Sequence, residues 1–180
     1  MRKTDKVHTR QLRKGTWGIG MAHCLMLLLS FVLLSCESID CTLNNVVTCK
    51  YAFYSSSDGA AFTLADTLSI TAEGTDSVLY NRGSKVKSVS LPMSYWQETD
   101  TLNFRFYNRE TGLDATIAIY IKKSNTPHFE SPDCPTTMFH ELREVTYREE
   151  QGLVDSVVIA HPSVNYASKE NIKIYLHTAD

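Results

Sequence analysis

The chain has 180 residues, 43% of them hydrophobic and 21% charged, and a formal net charge of −2. Six of its 18 Lys and Arg but only one of its 20 Asp and Glu fall within residues 1–35, leaving 12 against 19 and a formal charge of −7 on the rest. An acidic chain repels phosphate backbones, which argues against nucleic acid as a partner, and the roughly 145 residues left are enough for one domain with its own core.

The first element in chain order is a leader. Arg2, Lys3, Lys6, Arg10, Arg13 and Lys14 stand against the single acid Asp5, and an apolar run over 21–34 follows. That run is shorter than the roughly 20 apolar residues of a membrane span. A basic segment followed by a short apolar one is the pattern of a secretory signal peptide, here a signal helix. It ends in Leu33-Leu34-Ser35-Cys36, which resembles a bacterial lipobox. The resemblance implies cleavage before Cys36 and a diacylglycerol on its sulfur. Ser35 is the small residue such a cut needs, while Leu34 is bulkier than the usual residue there. Each buried CH₂ contributes about 0.8 kcal/mol, and stable anchoring takes about two acyl chains. A lipidated Cys36 would therefore hold the protein on a membrane without a transmembrane helix. The competing reading is an uncleaved signal anchor ending in a chance cysteine.

The expected organisation is a signal peptide over 1–35, a lipidated cysteine and short polar tether over 36–42, and a single domain over 43–180. Period-two patterning dominates after the tether. Residues 46–54 read as a strand, as do 67–72, where Leu68, Ile70 and Ala72 alternate with Thr67, Ser69 and Thr71. Short strands follow at 78–80 and 86–91, the second closed by Pro92. Leu102, Phe104 and Phe106 alternate with polar residues, then Ile117, Ile119 and Ile121 do the same, and the turn over 108–113 makes these two a hairpin. The stretch 138–147 fits a helical turn or a strand and is read as a strand. Val157 with Ile159, and Ile172, Ile174 and Leu176, mark the last two. No long amphipathic helix follows residue 36, and many short strands predict an all-β fold, an antiparallel two-sheet sandwich of immunoglobulin-like or Greek-key type.

Of five cysteines, Cys24 leaves with the leader and Cys36 is taken by lipid. Three thiols in an oxidising compartment allow one bridge and one remainder. Cys49 shares a strand face with Val47, Tyr51 and Phe53 and reads as a small buried hydrophobe. That favours Cys41–Cys134, the other pairings staying open. Such a bridge would close a loop of about 90 residues, worth roughly 4–5 kcal/mol in the chain-entropy model.

Several short blocks carry a wider likeness: Ile39-Asp-Cys-Thr-Leu-Asn-Asn45, Asp66-Thr-Leu68, Thr75-Asp-Ser-Val-Leu79, Leu91-Pro-Met-Ser-Tyr95, His128-Phe-Glu-Ser-Pro-Asp-Cys134, Phe139-His140 and Asn165-Tyr166. They resemble a family of uncharacterised Bacteroidota lipoproteins. The resemblance implies an envelope-located β domain and a Cys41–Cys134 pair, and it brings no catalytic residues.

Catalytic signals are weak. His128, Asp133, Cys134, His140 and Glu141 crowd one segment, but without the paired spacing of a zinc site. No Gly-x-Ser-x-Gly elbow and no phosphate loop occur. A Cys49–His140 dyad is conceivable, yet a buried strand cysteine is usually inert. An Asp and a hydroxyl residue precede an apolar one at Asp66, Asp76, Asp100 and Asp155; turn capping explains this more simply than calcium. No cofactor is expected.

The more promising surface is Tyr95-Trp96. Exposed, these rings could stack on a glycan or anchor a protein; at least one is expected to fold back onto the core after Pro92. The leading expectation is a non-enzymatic accessory lipoprotein of the cell envelope, held at the outer membrane by acyl chains on Cys36 and contacting another envelope protein. The alternatives are a glycan-binding module using Tyr95 and Trp96, and a metalloprotein or enzyme centred on His128 and His140.

Overall fold

Alternating apolar and polar side chains become ten strands in a computed structural model that describes residues 47–75, 77–132 and 134–177. The signal helix and boundaries expected over 1–42, including Cys36 and Cys41, lie outside the described residues. The strands are β1 (Thr48–Ser55), β2 (Thr67–Ala72), β3 (Val78–Gly83), β4 (Ser88–Pro92), β5 (Thr99–Asn108), β6 (Leu113–His128), β7 (Thr137–Arg148), β8 (Val154–Ile159), β9 (Ser163–Val164) and β10 (Glu170–Leu176). They form a four-stranded sheet, β4-β1-β10-β8, and a six-stranded sheet, β3-β2-β5-β6-β7-β9. The all-β, two-sheet reading is correct, and the described residues contain no helix. It follows that no described helix is long and apolar enough to cross a membrane.

All ladders are antiparallel except one: β1 and β10, the first and last strands, run parallel. Parallel partners cannot be joined by a tight turn, and here nearly the whole domain is the connection between them. The ambiguous stretch is indeed a strand, β7, paired with β6 from Thr137↔His128 to Arg148↔Ala118. The β5–β6 hairpin turns where the Asn108 Oδ1 accepts the Glu110 N–H at 2.9 Å and Gly112 takes φ +74°.

The core lies between the inward faces of the sheets. Cys49, Tyr51 and Phe53 of β1 and Ile172, Ile174 and Leu176 of β10 face Leu102, Phe104 and Phe106 of β5 and Ile117, Ile119 and Ile121 of β6, all buried. Rings cross the gap: Tyr51 to Phe104 at 5.5 Å and Phe53 to Phe106 at 6.2 Å, the second edge-on. Such pairs add about 0.5–1.5 kcal/mol each beyond area burial.

The parallel pair contains an irregularity that a single side chain repairs. Lys50 pairs with Glu170 but Tyr51 pairs with Ile172, so Asn171 is an extra residue on β10. Its side chain is buried, and its Oδ1 accepts the Lys50 N–H at 3.1 Å. Its Nδ2 donates to the carbonyls of His161 and Ser163 at 3.0 and 3.1 Å. Replacing it with Ala leaves three main-chain groups without partners. We expect Asn171→Ala to cost about 2–4 kcal/mol in urea unfolding, since each buried orphan costs roughly 1–3 kcal/mol; a loss below about 0.5 kcal/mol would show that the bulge does not depend on it.

Candidate functional site

Two strands carry their inward phase onto charged residues. On β5 the inward positions are Leu102, Phe104 and Phe106, and the same phase reaches back to Asp100, 7% exposed. On β6 they are Ala115, Ile117, Ile119 and Ile121, and the phase runs on to Lys123, 3% exposed. The ladder sets Asp100 opposite Ile121, so the two charges meet diagonally across neighbouring strands. Their closest atoms, Lys123 Nζ and Asp100 Oδ2, are 3.6 Å apart.

The Lys123 ammonium has three donors, and the structure uses them all. It donates to the carbonyls of Ser94 and Gln97 at 2.6 Å each and to Asn125 Oδ1 at 2.9 Å. Asp100 Oδ2 accepts the Ser94 N–H at 3.1 Å, and Asn125 Nδ2 donates to Gln97 O at 3.0 Å. The Lys123 N–H donates to Glu98 O at 2.8 Å, and the Gln97 N–H to Ser94 Oγ at 2.9 Å. The β4–β5 loop is thus held through its own main chain by residues of β5 and β6. Burial pushes the Lys123 ammonium below its usual range, against the Asp100 charge that raises it. Burial also raises the Asp100 carboxyl, against Lys123 and the Ser94 N–H, which lower it.

His140 on β7 completes the cluster. It is 3% exposed, and its Nδ1 lies 2.8 Å from Asn125 Oδ1. That oxygen carries no hydrogen and already accepts from Lys123, so Nδ1 is the donor and Nε2 the bare nitrogen. Nε2 is buried with no partner among the described residues. Burial, followed by the Lys123 charge, pushes the imidazole down to about 4, so it is neutral at physiological pH.

The held loop displays aromatics. Tyr95 leans on the His140 ring with centroids 6.3 Å apart and is 47% exposed, and Trp96 is 87% exposed. The expectation that one of them folds inward is therefore wrong. Met93, 5% exposed, takes the core position after Pro92, and the clamp on the main chain of Ser94 and Gln97 turns both rings outward. Beside the loop lies an open cleft of about 300 Å³ whose lining includes Glu73, Thr75, Leu79, Met93, Gln97 and Asp100.

The other singled-out residues do not converge. His128 stacks on Phe139 at 4.2 Å, with Tyr166 edge-on to both at 5.7 and 4.9 Å. Phe139 and His140 are adjacent on one strand and so face opposite ways, which separates the two histidines. Among the described residues, no group of three or more His, Cys, Asp or Glu is placed to hold a metal ion. Cys49 is fully buried with a free thiol; burial pushes it up to about 12, with a Tyr51 hydrogen bond opposing, so it is not a ready nucleophile. Asp66 accepts from Asn108 Nδ2 at 2.8 Å, Asp155 lies on β8 of the other sheet, and Asp76 falls outside the described residues. Cys134 is half-buried, with the Ser131 hydroxyl donating to its sulfur at 3.3 Å. Lys123 and Asn125 were the members that pattern reading missed; a lysine in phase with three isoleucines was the signal that pointed to them.

A family described as a family of unknown function (DUF6452) matches residues 67–176, a span that contains Asp100, Lys123, Asn125 and His140. No curated protein matches the chain, and no solved structure does.

Two outcomes follow from this geometry. Lys123→Met leaves Asp100 buried without its countercharge and the Ser94 carbonyl without the ammonium as donor, while the Gln97 carbonyl keeps only Asn125 Nδ2. It should cost about 3–5 kcal/mol in urea unfolding and speed amide exchange over 94–98; unchanged exchange would mean that the loop does not depend on the ammonium. For His140, the unfolded imidazole binds its proton near 6.5 and the folded one near 4. Its contribution is therefore fully present above about pH 6.5 and falls as pH drops toward 4, by at most about 3 kcal/mol. Asp100, raised by burial, has the opposite sign and offsets the low end of that window. Unfolding between pH 7.5 and 4.5 should show a loss that His140→Gln flattens, and an identical profile in the variant would contradict the assignment.

Proposed function

We propose, for a chain that belongs to this family of unknown function (DUF6452), the role of a lipid-anchored, non-enzymatic accessory protein of the bacterial outer membrane whose sandwich is a binding module. The observation that carries the reading is the clamp. A buried ammonium puts two of its three donors on the main chain of one loop and the third on Asn125, and that loop presents Trp96 at 87% exposure. Contact surfaces gain affinity from such preorganisation, because little freedom is left to lose on binding. Of the clustered groups singled out as able to do acid–base or nucleophilic work, Lys123 and His140 are buried and hydrogen-bonded within the fold, and the Cys49 thiol is fully buried. Tyr95 and Trp96 are the contact residues of this module, and its partner is another component of the envelope.

Anchoring rests on the leader and on Leu33-Leu34-Ser35-Cys36. The mature chain would begin at Cys36, with its acyl chains in the membrane and Cys41 bridged to Cys134. Labelled palmitate should be incorporated into the protein and should follow it into the outer-membrane fraction. Cys36→Ala should abolish both; label that is absent, or that persists in the variant, would sink the reading.

A further inference from the structure

We propose that the end of the sandwich bearing Tyr95, Trp96, Phe129 and Tyr166 is a bilayer-contacting surface, with its rings seated at the level of the phospholipid headgroups. This names the partner of the module and rests on the lipid anchor at Cys36.

The ladders bring these residues to one end. Thr48, at the start of β1, pairs with Pro92 at the end of β4, and the loop with Tyr95 and Trp96 follows. Thr99, at the start of β5, pairs with Lys122, and β6 continues past it to His128, which precedes Phe129. β10 starts beside Lys50 because it runs parallel to β1, and Tyr166 lies just before it. The His128–Phe139–Tyr166 ring contacts hold Tyr166 beside the end of β6, on the sheet face opposite to His140 and Tyr95. Phe129 is 66% exposed and Tyr166 37%, while the exposed Tyr107 near the end of β5 lies toward the opposite end.

The tether leaves from that same end, because β1 begins there. Eleven residues, 36–46, precede Val47, and five steps separate Cys36 from Cys41. Five extended residues span at most about 18 Å. A bridge from Cys41 to Cys134, five positions beyond Phe129, would thus keep the aromatic end close to the acyl chains. Rings that are apolar on one side and polar on the other favour the membrane–water interface. The acyl chains on Cys36 would hold the protein at the membrane by themselves, and an aromatic contact would fix which end of the domain meets it. With a formal charge of −7 after residue 35, attraction to anionic lipid cannot supply that contact, so it is apolar and insensitive to salt.

The test uses the acylated mature protein in phosphatidylethanolamine–phosphatidylglycerol vesicles. Trp96 is then the sole tryptophan, because the other, Trp17, leaves with the leader. Flotation reports the anchor, and Trp96 emission reports the contact. We expect a blue shift, quenching by headgroup-level nitroxide lipid, and a several-fold fall in iodide quenching relative to the unacylated Cys36→Ser protein in solution. These effects should persist in 1 M salt. Phe129→Ser with Tyr166→Ser should restore iodide access while the protein still floats; both side chains are surface-accessible, so folding should be preserved, as circular dichroism would check. A protein that floats with Trp96 as accessible as in solution overturns the inference and leaves the end open to a glycan or protein. A protein that does not float overturns the anchor reading itself.

Discussion

A lysine ammonium at an inward strand position constrains much of what surrounds it. Lys123 sits where the next isoleucine of β6 would be, and an ammonium removed from water must find an acceptor for each of its three hydrogens. Two of those acceptors are main-chain carbonyls of the β4–β5 loop, so the shape of that loop is a condition of burying the charge. Asp100 sits 3.6 Å away, beyond hydrogen-bonding distance, and acts as countercharge while its Oδ2 holds the Ser94 N–H. His140 enters only through Asn125 Oδ1, which both the ammonium and the imidazole use as acceptor.

In stability terms this arrangement gains little. Removing two ions from water costs several kcal/mol each, and a well-packed apolar pair of the same volume is often as stable. Asp100 Oδ1 and His140 Nε2 also lie buried without partners among the described residues, which adds to the cost. What the cluster supplies is definition: one loop conformation, with Met93 inward and Tyr95 and Trp96 outward. An all-apolar core at this place would leave the loop carbonyls to water and the loop free to sample other shapes. Buried polar groups therefore contribute most here to the geometry of the exposed surface, although they lie beneath it.

The same physics explains what could be read from the chain and what could not. Period-two alternation located most of the strands, because such a strand packs one face on a core and turns the other to water, while the β7 stretch fitted a helical turn as well and β3 has no fully buried residue. It stopped at Lys122 on β6, since a second lysine followed by Ser, Asn and Thr reads as the end of a strand, whereas the ladder with β7 runs on to His128. Past Lys122 the strand has no β5 partner, so Pro127 is tolerated there. The two-residue β9 is too short for any periodic signal. Asp100 was visible as one of four Asp–hydroxyl pairs, but its burial depends on a lysine 23 positions away, and no local pattern reports that pairing. Asn171 was hidden in the same way, since its task exists only once β10 lies parallel to β1. The inward turn expected of the aromatics failed for a related reason: hydrophobicity says what a ring prefers, while a clamped main chain decides where it points.

The remaining surface directs attention to the same end. Edge strands are the usual site for adding a foreign strand, and three of the four edges here are blunted. On β3, register shifts accompany Arg82 at φ +51°, and the Tyr80 ring lies over Gly83 where a Cβ would collide with it. β4 ends in Pro92, and β7 beyond the short β9 ladder carries Arg143, Glu144 and Arg148. The outer face of the six-stranded sheet carries the Arg105–Asp114 and Lys122–Glu144 pairs, each about half-exposed and therefore weak in stability terms. A charged face and irregular edges offer little purchase to an apolar partner. The aromatic end, by contrast, is fixed from within by Lys123 and carries the chain's entry point, which makes it the surface most suited to sustained contact.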